Sequence, residues 1–221
     1  MKYHLNYNFV WLYFDKFYLG LLLGIELAAI SILVGSVIGL SLALIHVDGP
    51  RWMRRIVTAY VEFIRNQPLL LLVYLVFYGI PTIGGFKYNN VASFIITLSV
   101  YSGAYLVEIF RAGLDAVPRG LQDAGKAIGL TPAQRLLYVR MPTMFRVVMP
   151  ALSNQFVSLF KDTSVAAVLA VPELTYAAKW LSTNKFRIIE AYSVAAPMYL
   201  VTGYVIFAAL RLLERKFAVR R

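Results

Sequence analysis

The sequence predicts an all-α integral membrane protein: one domain, residues 1–221, of about five transmembrane helices with a cytoplasmic helix-turn-helix loop. Three observations predict it. Hydrophobic residues make up 60% of the chain and charged ones only 15%, with a mean hydropathy of +0.67, against about a quarter charged in soluble proteins. The apolar residues gather into runs able to cross a bilayer at about 20 residues each. One polar, basic stretch, PRGLQDAGKAIGLTPAQRLLYVRMP from Pro118 to Pro142, interrupts them. A membrane protein that keeps one structured soluble loop of this length offers a docking surface.

Spans are expected at Tyr18 to Ile45, Ile64 to Ile80, Val91 to Val117, Met144 to Val171 and Ala191 to Leu213. Turn residues punctuate them: Asp-Gly-Pro lies between His46 and Trp52, and Gly-Ile-Pro, Gly-Gly and Asn-Asn lie between Gly79 and Asn90. The polar segment 118–142 reads as two short helices. Leu121 to Ile128 is rich in helix formers and stops at Gly129, which can take the left-handed conformation that closes a helix. Thr131, Pro132 and Gln134 then supply an N-cap, a first-turn proline and a capping-box glutamine. Pro142 is expected to end or kink the helix around it. No internal repeat and no secretory signal is expected, since residues 1–17 are polar and aromatic.

Lysine and arginine in short loops favour the cytoplasm. Arg51, Arg54, Arg55, Arg119, Lys126, Arg135, Arg140, Arg146 and the tail cations from Arg211 to Arg221 fall on one side; Lys2, Lys16, Lys87, Lys179, Lys185 and Arg187 fall on the other. The loop is therefore expected to face the cytoplasm, with the N-terminus outside and the C-terminus inside.

Charges within spans are costly unless they snorkel, pair or face a cavity. Glu26 is expected to reach the interface. Glu62 with Arg65, and Glu108 with Arg111, are spaced for ion pairs three residues apart. In the fourth span Asn154, Gln155, Ser158, Lys161 and Asp162 share roughly a third of the helix circumference at about 100° per residue, and Thr163 and Ser164 extend the arc. Facing lipid, such an arc would be very costly. It reads either as the wall of a water-filled pathway or as a polar seam between helices, and the two can coexist. Tyr105 shares a helical stripe with Tyr101 and Glu108; packing and pathway readings both stand.

Other chemistries fall away. The net charge of +11 is scattered at the ends of apolar runs, which does not match a nucleic-acid face. With no cysteine and two histidines, thiol chemistry, disulfides and His-rich metal clusters have no residues to use. No G-x4-G-K-[ST] is present; Gly125-Lys126-Ala127 lacks the hydroxyl. Nor is there an H-E-x-x-H or a G-x-S-x-G.

Asp123-Ala124-Gly125, Gly129, Val139, Met141 and Pro142 resemble the EAA loop, EAA-x3-G-x9-I-x-L-P, of the membrane subunits of bacterial ATP-binding-cassette importers. Asp replaces Glu, Gly the second Ala, and Val and Met the Ile and Leu. The runs RNQPLLLLVYLVFYGIP, YSGAYLVEIFRAGLDAVPRG and SNQFVSLFKDTSVAAVLAVPEL, covering Tyr18 to Leu213 with the rest, resemble the polar amino-acid permease family. The resemblance implies an inner-membrane permease with no cofactor of its own, working with a second identical or similar permease, two ATPase subunits that bind ATP, and an extracytoplasmic solute-binding protein. It implies ATPase coupling through Asp123, Ala124, Gly125, Lys126, Ala127, Gly129 and Leu130. Members for basic amino acids often carry Glu at the position of Gln155, so glutamate, aspartate, glutamine or a similar zwitterion is expected. The contrasting readings are an ion-coupled transporter or channel with Glu108, Lys161 and Asp162 as relay, and a membrane anchor without transport.

Overall fold

A computed structural model describes residues 3–85 and 87–217, all of its regular structure helical. Lys2, Arg220 and Arg221, counted in the charge bias, lie outside the described residues. A short helix α1 (Asn8–Leu12) precedes α2 (Phe14–Asp48), whose 35 residues reach about 50 Å at the helical rise, well beyond a bilayer core.

Because α2 is apolar all round, hydrophobic periodicity does not set its orientation; small residues do. Gly20, Gly24, Ala28, Ser31, Gly35, Gly39 and Ala43 are its buried stripe, at successive spacings of three or four. The stripe lies mostly against α6 (Asn90–Asp115). A Cβ at Gly39 would stand 2.6 Å from that of Leu106, and one at Gly35 would collide with Ser102 Oγ, so bulk there forces the backbones apart. The sequence expectation does not include this stripe.

Between these helices, the expected second span is a broken element. The amphipathic helix α3 (Arg51–Arg65) buries Val57, Val61 and Ile64 and leaves Arg51, Arg54 and Arg55 exposed. Tyr60 donates to the Val100 carbonyl at 2.6 Å, placing α3 beside the middle of α6. Pro68 cannot continue that helix, and the next apolar run turns by 104°. It comprises α4 (Leu69–Tyr74), a wide π turn (Leu75–Gly79) and α5 (Ile80–Gly84), closed by Gly85 at φ 70°. Asn89 caps α6 through the Ala92 N–H at 2.7 Å, and Phe94, Leu98, Leu106, Phe110 and Leu114 make α6 the centre of the bundle.

The loop contains α7 (Arg119–Ala127) and α8 (Pro132–Arg135), then a π turn (Leu136–Arg140) that runs straight into α9 (Met141–Asp162). Of the two outcomes expected at Pro142, an end or a kink, the end is corrected, because the helix continues through it. It occupies the first turn of α9, where the widened turn before it accommodates the missing N–H. α9 buries Met144, Val148, Leu152 and Leu159, with Val148 against Gly113 of α6. It ends at Asp162 rather than Val171; a 3-10 turn (Thr163–Leu169) continues the chain and stops at Ala170, φ 55°.

A helix absent from the sequence expectation comes next, α10 (Leu174–Lys185). Its N-cap Glu173 is fully buried and accepts from the N–H groups of Thr175 and Tyr176 and from the Tyr199 hydroxyl at 2.6 Å. α11 (Ile188–Phe217) completes the described chain. Among the described residues Phe14–Asp48, Asn90–Asp115 and Ile188–Arg215 are each long and apolar enough to cross a membrane, and the bent pair is either a broken fourth span or a re-entrant loop. α9 has the length, 22 residues, but carries the polar arc.

Candidate coupling loop and polar transmembrane face

The loop is locked by its own residues. Gly129, at φ 80°, lets its N–H reach the Lys126 carbonyl at 2.9 Å while the Leu130 N–H reaches that of Gly125 at 3.0 Å, the paired bonds of a Schellman closure. Two residues on, Thr131 and Gln134 form a reciprocal capping box, Thr131 N–H to Gln134 Oε1 at 2.8 Å and Gln134 N–H to Thr131 Oγ1 at 3.3 Å. Arg135 then donates to the Leu130 carbonyl at 2.9 Å. The turn between α7 and α8 is fastened from both sides.

Gly125 is buried here: a Cβ on it would sit 3.3 Å from Arg135 Cγ. Its smallness lets α7 and α8 approach each other, and it lines the outward cleft alongside Ala124 and Leu130. The outward residues are Asp123, Ala124, Lys126, Ala127 and Ile128, the last 76% exposed. Leu121, Ala124 and Ile128 recur at three and four, an apolar stripe on an otherwise polar helix. With Leu130, Tyr138 and Arg146 they line a shallow cleft of about 480 Å³. Lys126 donates to Asp123 at 2.8 Å and holds its carboxyl below the usual carboxylate range.

The polar arc turns away from the bundle. Asn154 and Lys161 are exposed, Gln155, Ser158, Asp162 and Ser164 half-buried, and only Thr163 is buried, its hydroxyl donating to the Phe160 carbonyl at 2.7 Å. The opposite stripe of α9 fills the core, so this chain leaves the arc uncovered. At the α3 break, Val61, Glu62, Arg65, Asn66 and Tyr105 line a polar cavity of about 280 Å³. Arg65 lies 5.0 Å from the centre of the Tyr105 ring, and Tyr101 donates to the Tyr105 hydroxyl at 3.2 Å. Tyr105 therefore joins a polar cluster rather than serving only as packing.

The expected pair of Glu62 with Arg65 is not formed among the described residues, because Arg65 turns to the aromatic face instead. Glu108 does pair with Arg111, at 2.9 Å, and Arg111 also holds Asp115 at 3.1 Å. That engages Glu108 near the C-terminal end of α6, away from Lys161 and Asp162 at the end of α9. The sequence expectation also omits the buried Glu173 and Glu190. Glu190 is held by Tyr3, by the Asn6 N–H at 2.9 Å and by Arg187 at 3.2 Å. Nothing in their local sequence marks either as buried. Among the described residues no group of three acidic or histidine side chains is placed to hold a metal.

A helical bundle that keeps one fastened amphipathic loop outside its core and one polar face uncovered presents two surfaces that its own residues do not fill. The chain belongs to the family of binding-protein-dependent transport system inner membrane components, which matches residues 35–219. It is a multi-pass inner-membrane permease, a transport subunit rather than an enzyme. It is 33% identical over 210 residues to the probable glutamine ABC transporter permease protein GlnM of Bacillus subtilis, with 93% of each chain covered. It is 34% identical over 198 residues to the L-cystine transport system permease protein TcyB of the same organism, covering 89% of this chain and 84% of that one. The crystal structure of an amino acid ABC transporter with histidines superposes with a TM-score of 0.88 at 28% identity, covering 97% of this chain and all of that one.

Proposed function

We propose that this chain is the permease of an ATP-binding-cassette importer for polar amino acids, moved by separate ATPase subunits through residues 118–142. The observation that carries the reading is the side-chain-locked loop with Leu121, Ala124 and Ile128 outward. A stiff element can pass on a displacement, and only contacts that differ between two states shift an equilibrium. Asp123, Ala124, Lys126 and Ala127 contribute the rest of the outward contact, while Gly125, Gly129 and Leu130 shape it. The loop faces the cytoplasm, where ATP is, with the N-terminus outside and the C-terminus inside. ATP binds only in the partner subunits, and the permease carries no cofactor.

The uncovered part of the arc, Asn154, Gln155, Ser158, Lys161, Asp162 and Ser164, faces a second permease subunit across the pathway, with the buried Thr163 behind it. Tyr105, with Glu62, Arg65 and Asn66, lines the same route, where opposite charges three residues apart suit a zwitterion. Glu108 acts structurally, given its pairing with Arg111, which also holds Asp115. An amino-acid cargo, delivered by an extracytoplasmic binding protein, is supported by relatives whose names cite glutamine and cystine, and neutral Gln155 favours a zwitterion over a cation. The ion-coupled alternative needs Glu108 in a relay with Lys161 and Asp162, and the pairing of Glu108 speaks against it. The test is Ile128→Asp: membrane insertion persists while the ATPase no longer co-purifies and ATP-driven uptake stops. Full uptake with ATPase bound would refute the reading.

A further inference from the structure

The backbone ties the loop to α6 at one end and to α9 at the other, and within the loop the short helices pack on one another and on the π turn that enters α9. A third attachment is made by one ion pair. Asp48 is the last residue of α2, and Arg140 the last of the π turn entering α9. One terminal nitrogen of Arg140 donates to both carboxylate oxygens of Asp48, at 2.8 and 3.0 Å, across 92 residues of sequence. The Arg140 side chain is only 14% exposed, and its Nε is buried without a partner. Asp48 is therefore the counter-charge that a largely desolvated guanidinium depends on.

The pair also spans open space. A cleft of about 450 Å³ separates the end of α2 from Gln122, Lys126, Ala133 and Leu136. α7 and α8 face the end of α2 across this cleft, and the Asp48–Arg140 contact bridges it beside the apolar packing of α2 on the start of α9. Above it, α2 interlocks with α6 through Gly35 and Gly39, so movement of its end is not absorbed by slack in that seam.

We propose that Asp48 and Arg140 are positioning residues for transport, a strut that makes α2 follow the loop when an ATPase displaces it. This rests on the coupling reading above. Without the strut the loop pivots on α6 and α9, hydrolysis continues, and α2 lags behind.

The chain has no cysteine, which makes a direct test available. In the assembled importer, Asp48→Asn and Arg140→Gln keep the ATPase bound but lower uptake per ATP hydrolysed by about fivefold or more, the lower end of typical coupling between sites. The exchanged pair Asp48→Arg with Arg140→Asp recovers most of it. Where a single variant fails to accumulate, Asp48→Cys with Arg140→Cys carries the test, because one folded sample is read before and after a short cross-linker is added. The cross-linked state transports per ATP like the unaltered protein, and the open state does not. Normal uptake per ATP in the single variants, or equal transport by the open and cross-linked states, overturns the strut. Should Ile128→Asp also keep its ATPase, the coupling reading itself fails; if Ile128→Asp loses the ATPase while Asp48→Asn transports normally, only the strut fails.

Discussion

The loop and the outward face of α9 are both polar interruptions in an apolar chain, yet one is complete and the other is not. Around Gly129 and Thr131 the exposed turn closes on itself, through two backbone bonds, a capping box and Arg135. On α9, Asn154, Gln155, Ser158 and Lys161 make no side-chain hydrogen bond within the described residues. A self-satisfied element serves as a rigid part and presents a surface. An unsatisfied one in a membrane must be satisfied by a neighbour or by water. On the reading proposed above, the same chain carries a finished lever and half of a passage.

Overfilling the lever should give the largest effect. Gly125→Trp forces an indole into the space of Arg135; overpacking costs about 1 to 3 kcal/mol, enough to spoil the α7–α8 geometry and cut uptake about tenfold or more. Gly125→Ala, whose methyl comes closest to the flexible Arg135 stem at 3.3 Å, should stay within about twofold. ATP-driven uptake measured for both separates a packing role from direct contact, and an undiminished tryptophan variant would erase the distinction between lever and face.

A change on the open face should alter selectivity rather than coupling. At Gln155→Glu the added charge is worth about 1 kcal/mol to a cation about 4 Å away even in water, or about fivefold. Competition uptake of cationic against neutral amino acids should shift by that much, with uptake per ATP unchanged. A fall in coupling with no shift in preference would mark the arc as a seam alone.

The smallest effect is expected from protons. The Asp123 carboxyl is held low by Lys126, so the pair's contribution is present above the unfolded value of about 4 and lost only as pH falls through the lower folded value. Uptake between about pH 6 and 8 should carry no inflection from this residue, and Asp123→Asn should leave that pH profile unchanged.

How far each part is legible in the sequence depends on how local its signal is. Gly129, Thr131, Pro132 and Gln134 act on their own backbone within three residues, so the lever can be read. The α2–α6 seam cannot be found from hydrophobicity, because α2 is apolar on every face and only its spacing of small residues orients it. Pro68 is visible, but the apolar run carries on beyond it and hides the 104° bend. The twelve-residue α10 is too short and mixed to stand out, and its cap Glu173 is explained only by Tyr199 across the bundle. Arg65 has two partners within reach, Glu62 in sequence and Tyr105 in space, and only the fold shows it over the ring.

The central claim is that the lever lies on the ATP side and is covered by a motor subunit. Ala124→Cys, in a chain with no other cysteine, tests it directly with a membrane-impermeant maleimide. The account predicts no labelling in right-side-out vesicles, ready labelling in inverted ones, and protection when the ATPase is bound. Labelling from the extracytoplasmic side, or no protection by a bound ATPase, would contradict it.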